Sequence, residues 1–478
     1  MSSTFTHSFQ TDLFTGKVNF PTGVFINGEW RAGATKLLLT TGQLLTAISE
    51  GTAKDVDLAV EAAQKAFDTV WGLNTPGSER GRILGKWANL IEEHLDELAA
   101  IESLNNDKNH GKVLETSEAV LGYTRHEPIG VVGQIIPWNF PLLMFAWKVG
   151  PALATGNTIV MKPSELTPLT ALRVTQLGVE AGIPPGVLNI VTGYGKTVGH
   201  AISSHPSIEK VAFTGSTLVG REIMVQAAKS NLKNVTLELG GKSPNIIFED
   251  ADLNIAVEWA TIGIFFNHGQ TCCAGSRIYV QESIYEKFEQ KFLERIKQIK
   301  LGDPLREGVN QGPQRIMSYI DDGKKSGAKA IIGGKRHGTE GYFIEPTIFT
   351  DTTNDMRIVR EEIFGPVGVL VKFKDEEDII KVANDTVYGL AAAVFSQNIS
   401  RALSVGHRLK AGTVWVNCCN QLFAQIPFGG FKQSGIGREL GEYAIANYTA
   451  VKSVITNALT DGFEEISKVC TFGVQVVL

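Results

Sequence analysis

From Pro128 onward the chain alternates short β-branched apolar runs with longer helix-like stretches, and no other feature limits the fold as strongly. Residues 130–136, 157–162, 187–191 and 210–214 read as buried strands, and a helix follows Thr167-Pro168. Strands separated by helices lie parallel in a sheet covered on both faces. The alternation returns after Cys272, with strands predicted at 277–281, 367–373 and 413–417 and a helix over 282–299. A chain of 478 residues exceeds one simple core. The economical division is two α/β halves joined near residues 240–270. Upstream, Asn27-Gly28 marks a hairpin turn. Val56, Ala59, Val60, Ala63 and Phe67 recur at helical spacing, and a second amphipathic helix is predicted from about 80 to 104. Residues 113–125 alternate and carry charges, as an exposed hairpin would.

Charge and cysteine usage narrow the function. Lys and Arg number 45 against 50 acidic residues, a balance that argues against a dedicated nucleic-acid binder. Five cysteines fall as Cys272-Cys273, Cys418-Cys419 and Cys470, an odd count without C-x-x-C. That pattern speaks against a disulfide framework and a structural metal site. The apolar stretch 141–154 carries Lys148 and is too short to span a bilayer. No basic region followed by an apolar run opens the chain, so the expected location is cytoplasmic, without a membrane partner.

Several stretches carry chemistry. Gly269-Gln270-Thr271-Cys272-Cys273-Ala274-Gly275 frames a thiol pair with glycines that let a substrate approach. Glu238, 34 residues upstream in Leu237-Glu238-Leu239-Gly240-Gly241-Lys242, offers a carboxylate on a flexible loop. Free cysteines are more often small buried hydrophobes, so the pair alone decides nothing. Thr214-Gly215-Ser216-Thr217-Leu218-Val219-Gly220 ends a strand and opens a helix, where a pyrophosphate is favoured. It departs from G-x-G-x-x-G, and a plain helix cap explains it equally well. Lys162-Pro163-Ser164-Glu165 follows another strand end; a carboxylate there suits ribose hydroxyls and would repel a 2′-phosphate, favouring NAD over NADP. Ile136-Pro137-Trp138-Asn139-Phe140-Pro141 sets an amide among aromatic rings, as an oxyanion donor or a satisfied buried Asn. Glu361-Glu362-Ile363-Phe364-Gly365-Pro366 suits a ribose and a flat ring, or is a turn with a packed Phe.

Taken in order, Pro-Trp-Asn-Phe-Pro, Lys-Pro-Ser-Glu, Phe-Thr-Gly-Ser-Thr, Leu-Glu-Leu-Gly-Gly-Lys, Gly-Gln-x-Cys, Glu-Glu-Ile-Phe-Gly-Pro and Pro-Phe-Gly-Gly resemble the aldehyde dehydrogenases over most of residues 24–456. The likeness is to cytosolic fungal and class 1/2 animal NAD enzymes. It implies an α/β protein with a Rossmann-like NAD-binding domain (1–109 and 129–240), an α/β catalytic domain (241–440) and a small β oligomerisation arm (110–128 and 441–478). It implies Cys272 as nucleophile, Glu238 as general base and Asn139 as oxyanion donor. Ile136, Trp138, Lys162, Glu165, Gly215, Ser216, Gly220, Gly240, Glu362 and Phe364 would hold NAD. Phe140, Met144, Trp147, Phe266 and Phe428 would line an aldehyde tunnel, although without the resemblance that aromatic set reads as ordinary core. No metal is required, the substrate is a small aldehyde, and the assembly is a homodimer or homotetramer.

The pattern breaks at four places: Leu37-Leu38-Leu39-Thr40-Thr41, residues 105–111, the stretch after Gln314, and the tail from 457 to 478. At 105–111 a helix beside the tunnel and its connection are expected and absent. The breaks are abrupt, as an altered gene model would leave them, and they predict a less stable chain. Two other readings compete: a non-catalytic binding or structural protein on the same fold, and a Cys–His hydrolase using Cys272 and His268.

Overall fold

A computed structural model describes residues 4–10, 14–32, 36–38, 44–101, 120–302, 316–339 and 343–457. The predicted hairpin forms at once: β1 (Val24–Ile26) and β2 (Glu29–Arg31) turn through Asn27 and Gly28, both at positive φ. Helix α1 (Ala53–Thr69) starts at a capping box in which Thr52 N–H donates to Asp55 Oδ2 at 2.8 Å. Its buried stripe of Val56, Ala59, Val60, Ala63 and Ala66 faces the sheet.

The second predicted helix is two helices. Helix α2 (Gly77–Glu93) ends at His94, and α3 (Leu95–Ile101) follows as a separate helix. Glu97 explains the break: it takes Arg173 Nε at 2.6 Å and His94 Nδ1 at 2.7 Å, which ties α3 to helix α5 (Leu169–Ala181). The predicted helix over 282–299 likewise begins with a 3-10 turn at Glu282–Ile284 and runs as an α-helix only from Tyr285 to Ile296.

Two sheets carry the molecule. The first contains β1, β2, β3 (Val131–Ile135), β4 (Thr158–Lys162), β5 (Leu188–Ile190), β6 (Lys210–Thr214) and β7 (Asn234–Glu238), in the order β7-β6-β3-β4-β5-β1-β2. The five strands β3 to β7 are parallel, as predicted, but β1, and Gly435–Ile436 beside β7, run antiparallel. The predicted parallel strands thus form the centre of a sheet whose edges are antiparallel. The second sheet holds β8 (Pro244–Ile247), β9 (Arg277–Gln281) and Val367–Phe373 at its centre, with an antiparallel edge at Lys329–Ile332. The chain crosses between sheets in the five residues from Leu239 to Ser243, at the start of the predicted junction.

Of the predicted hairpin at 110–128, the described part is the strand Val120–Pro128. It pairs antiparallel with Thr449–Asn457 as a separate two-stranded ribbon. The expectations for residues 105–111 and for the tail beyond Asn457 lie outside the described residues. Among those described, no helix is long and apolar enough to cross a membrane.

One buried ion pair joins distant parts of the chain. Lys148 Nζ, on helix α4 (Pro141–Ala154), donates to Glu439 Oε1 at 2.5 Å, with both side chains almost wholly buried. Removing one partner of such a pair strands the other charge, which costs about 3–5 kcal/mol. Glu439→Ala should therefore lower unfolding stability by about that much in urea titrations, whereas Lys148→Met with Glu439→Leu should recover most of the loss.

Candidate active site

Parallel strands end on one edge of their sheet, and here that edge collects four of the predicted segments. Ile136 and Trp138 follow β3, Lys162 and Glu165 follow β4, Gly215 and Ser216 follow β6, and Glu238 ends β7 just before Gly240. Such strand ends are where open α/β sheets bind ligands. Lys162 Nζ is buried and donates to Glu165 Oε2 at 2.8 Å; burial holds its pKa below the usual lysine range. Ser216 caps helix α6 (Thr217–Ser230), its Oγ accepting from Val219 N–H at 3.4 Å, and Gly215 N–H donates to Glu238 O at 3.0 Å. The N-terminus of α6 thus points at the edge, where an anion is favoured. Gly220 does something else: a side chain there would run into Leu239, so this glycine lets α6 sit close to β7.

The second sheet supplies the thiol. Helix α7 (Leu253–Phe265) ends in the turn Phe266–Gly269, where Asn267, His268 and Gly269 all have positive φ. That left-handed run swings Gln270 toward the Pro137–Pro141 loop. Asn139 Nδ2 donates to Gln270 O at 2.8 Å, and Asn267 Nδ2 donates to Asn139 O at 2.9 Å. The loops holding Asn139 and Cys272 are therefore laced together by two amides. The ring of His268 faces Gln270 Nε2 at 2.8 Å, and burial lowers its pKa to about 4. It is a neutral imidazole at ordinary pH.

Of the two adjacent thiols, Cys272 is half-buried while Cys273 is buried, with its Sγ 3.5 Å from Asn420 Oδ1. The hydrogen bond to Cys273 and burial together raise the Cys272 pKa well above its usual value. Glu238 is raised as well, chiefly by burial and then by the Glu439 carboxylate, with Lys148 opposing. Its Oε2 is buried without a hydrogen-bond partner. Both shifts favour the protonated forms.

Glu362 Oε1 accepts from Gly241 N–H at 3.1 Å, and burial lifts its pKa to about 7. Phe364, at φ +59°, meets the Trp138 ring edge-on with centroids 5.4 Å apart. Gly240 and Gly241 have no room for a side chain, since Glu362 and the Cys272 carbonyl occupy those positions. Phe140 stacks on Phe266 at 6.0 Å, and Trp147 lies 5.5 Å from Phe428, with Met144 buried on the same helix as Trp147. Among the described residues no group of His, Cys, Asp and Glu is placed to hold a metal.

Three residues of the site were given no role from the sequence: Lys148, Glu439 and Asn267. Lys148 had a signal, being the only charge in the otherwise apolar stretch 141–154. Glu439, 291 residues away, had none.

The aldehyde dehydrogenase family model matches residues 36–113 and 106–454. An aldehyde dehydrogenase of Agaricus bisporus is 60% identical over an alignment of 495 positions covering 96% of this chain and 99% of that protein. One from Emericella nidulans is 54% identical, covering 93% and 98%. The solved structure of an aldehyde dehydrogenase from Bacillus cereus in complex with NAD+ superposes with a TM-score of 0.88 at 47% identity, over 92% of this chain and 97% of that one. With matches of this extent and identity, the chain belongs to the aldehyde dehydrogenase family.

Proposed function

We propose that the protein oxidises an aldehyde to a carboxylic acid with NAD, through a covalent intermediate on Cys272. The observation that carries the reading is the lacing of Asn139 to the cysteine loop, with buried Glu238 ending β7 just before Gly241, which packs on the Cys272 carbonyl. Cys272 gives its proton to solvent and Sγ attacks the aldehyde carbon, forming a C–S bond as the C=O π pair moves onto oxygen to make an oxyanion. Asn139 gives one amide hydrogen to Gln270 O and keeps the other for that oxyanion, beside the Cys272 N–H. NAD held at this edge would supply a hydride acceptor for the tetrahedral carbon, chemistry that no side chain of the site offers. The product on the enzyme is a thioester. Glu238 as carboxylate then takes a proton from water, the hydroxide adds to the carbonyl, and the C–S bond breaks to release carboxylate and thiol.

The residues fit a dinucleotide: the α6 N-terminus for its pyrophosphate, Lys162 and Glu165 for a ribose, Glu362 and the Trp138–Phe364 pair for the nicotinamide end. The Glu165 carboxylate disfavours a 2′-phosphate, which supports NAD over NADP. The bound NAD+ of the Bacillus cereus relative supports the same choice. The chain works in the cytoplasm as a homodimer or homotetramer, paired through the Val120–Pro128 and Thr449–Asn457 ribbon, which leaves Val451 and Ile455 exposed. The domain limits are those of the resemblance, with the Leu239–Ser243 crossover as the NAD-to-catalytic boundary.

NADH formation at 340 nm tests the reading. Cys272→Ala should abolish it, Asn139→Ala should lower kcat by about 10²–10³, and Glu238→Gln should lower steady-state turnover by about 10²–10⁴ while leaving a first-turnover burst. A Cys272→Ala chain that still made NADH would end the proposal. Since the folded site raises both Cys272 and Glu238, their reactive deprotonated forms grow as pH rises. The expected kcat/KM climbs from pH 6 to pH 9; a profile already flat at pH 6 would contradict it.

A further inference from the structure

A small cavity of about 10 Å³ lies beside the crossing between the two sheets, among the start of β9, residues 383–392, residues 409–411 and Lys432. Four cations line it, Lys242, Arg277, Lys410 and Lys432, and no carboxylate does. All of its lining residues are among those described. Lys242 is 2% exposed, and its Nζ is buried without a hydrogen-bond partner. Buried polar groups are hydrogen-bonded as a rule, and an orphan calls for a water or an ion.

The surrounding carboxylates are engaged elsewhere. Glu362 Oε1 accepts from Gly241 N–H at 3.1 Å, and Glu361 Oε2 accepts from Arg357 Nε at 2.9 Å and from the Tyr319 hydroxyl at 3.0 Å. Asp385, next to the lining Asn384, pairs with Arg360 at 2.9 Å. Arg277 brings a second positive charge to Lys242 while its own donors are taken: Nε gives to Lys242 O and Nη2 to Ala383 O, both at 2.8 Å. Burial, and then Arg277, push Lys242 down to about 7. Negative charge is what the pocket lacks. Lys432 Nζ donates to Asn384 O at 2.9 Å and Thr386 O at 3.1 Å, which leaves its third hydrogen uncommitted.

We propose that this cavity is a binding site for one monatomic anion, chloride, held by Lys242 and Lys432 with the Arg277 charge behind it. Size selects the ion: the free volume takes a single sphere on the scale of a water, so phosphate, sulfate and carboxylates are too large. Charge selects it over water, since only an anion repays the hydration that an enclosed ammonium gives up. Seated there, the ion would tie Lys242 of the Leu239–Ser243 crossing to the loop that carries Lys432.

Thermal melts of the full chain in sodium chloride and in sodium gluconate at matched ionic strength test the site without NAD or aldehyde, so the outcome is independent of the proposed reaction. A ligand of the folded state raises Tm with its concentration, and gluconate is too large to enter. The expected difference between the two salts grows with chloride and saturates. Lys242→Met keeps the length of the side chain without its charge, so the difference should vanish, while Tm in gluconate stays equal or rises because an unpaired buried cation is gone. Lys432→Met changes an exposed side chain; it should fold and need at least about tenfold more chloride to reach half of the effect. Equal melts in the two salts would mean that water serves Lys242 and would overturn the proposal. A difference that never saturates, one that survives in a folded Lys242→Met chain, or an unshifted midpoint in Lys432→Met would do the same.

Discussion

At Gly240 and Gly241 the backbone passes between sheets through a gap with no space for a side chain. A Cβ on the first would collide with the Glu362 carboxylate, and one on the second with the Cys272 carbonyl. That close approach lets β7, ending in Glu238, and the loop before β9, carrying Cys272, share one site although they belong to different sheets. Ser434 Oγ donates to Gly240 O at 2.6 Å and tightens the crossing from a third segment. Widening the gap by one methyl would part the base, the thiol and the glutamate that faces the cofactor edge.

Electrostatics follow from the same closeness. The Cys273 hydrogen bond and then burial favour the neutral form of Cys272, and burial favours that of Glu238. The charges that remain are set one layer back, in the Lys148–Glu439 pair. Glu439 also exchanges backbone hydrogen bonds with Phe428, both at 2.7 Å, so the buried carboxylate and the Phe428 ring sit on paired backbone. Lys210, fully buried and lowered to about 7 by burial, lies 5.2 Å from the Tyr448 ring on the same side of the sheet. This polar cluster holds the C-terminal loop against the first sheet.

Much of the architecture was legible because it rests on local periodicity. The strands at 210–214, 277–281 and 367–373 fall where β-branched runs placed them, and the Asn27-Gly28 turn is fixed by the φ those residues tolerate. The break at His94 was not legible, since it depends on Glu97 reaching Arg173 on a helix far along the chain. Nor were the antiparallel edges, because strand direction at an edge depends on which distant segment arrives to pair. In the site, Cys272, Glu238 and Asn139 stood out through the order of their motifs, whereas Glu439 had no neighbouring sequence to mark it.

By itself the sequence determined the α/β alternation and the family, and it named the candidate reactive groups, since each is carried by short contiguous stretches. Tertiary structure alone decided that Cys272 rather than Cys273 is the accessible thiol, that Asn139 is gripped by Asn267 and Gln270, and that Lys242 is buried without a hydrogen-bond partner. Exposure, hydrogen bonding across 128 or more residues and the isolation of a buried charge depend on where separate elements come to rest, and no local pattern encodes that.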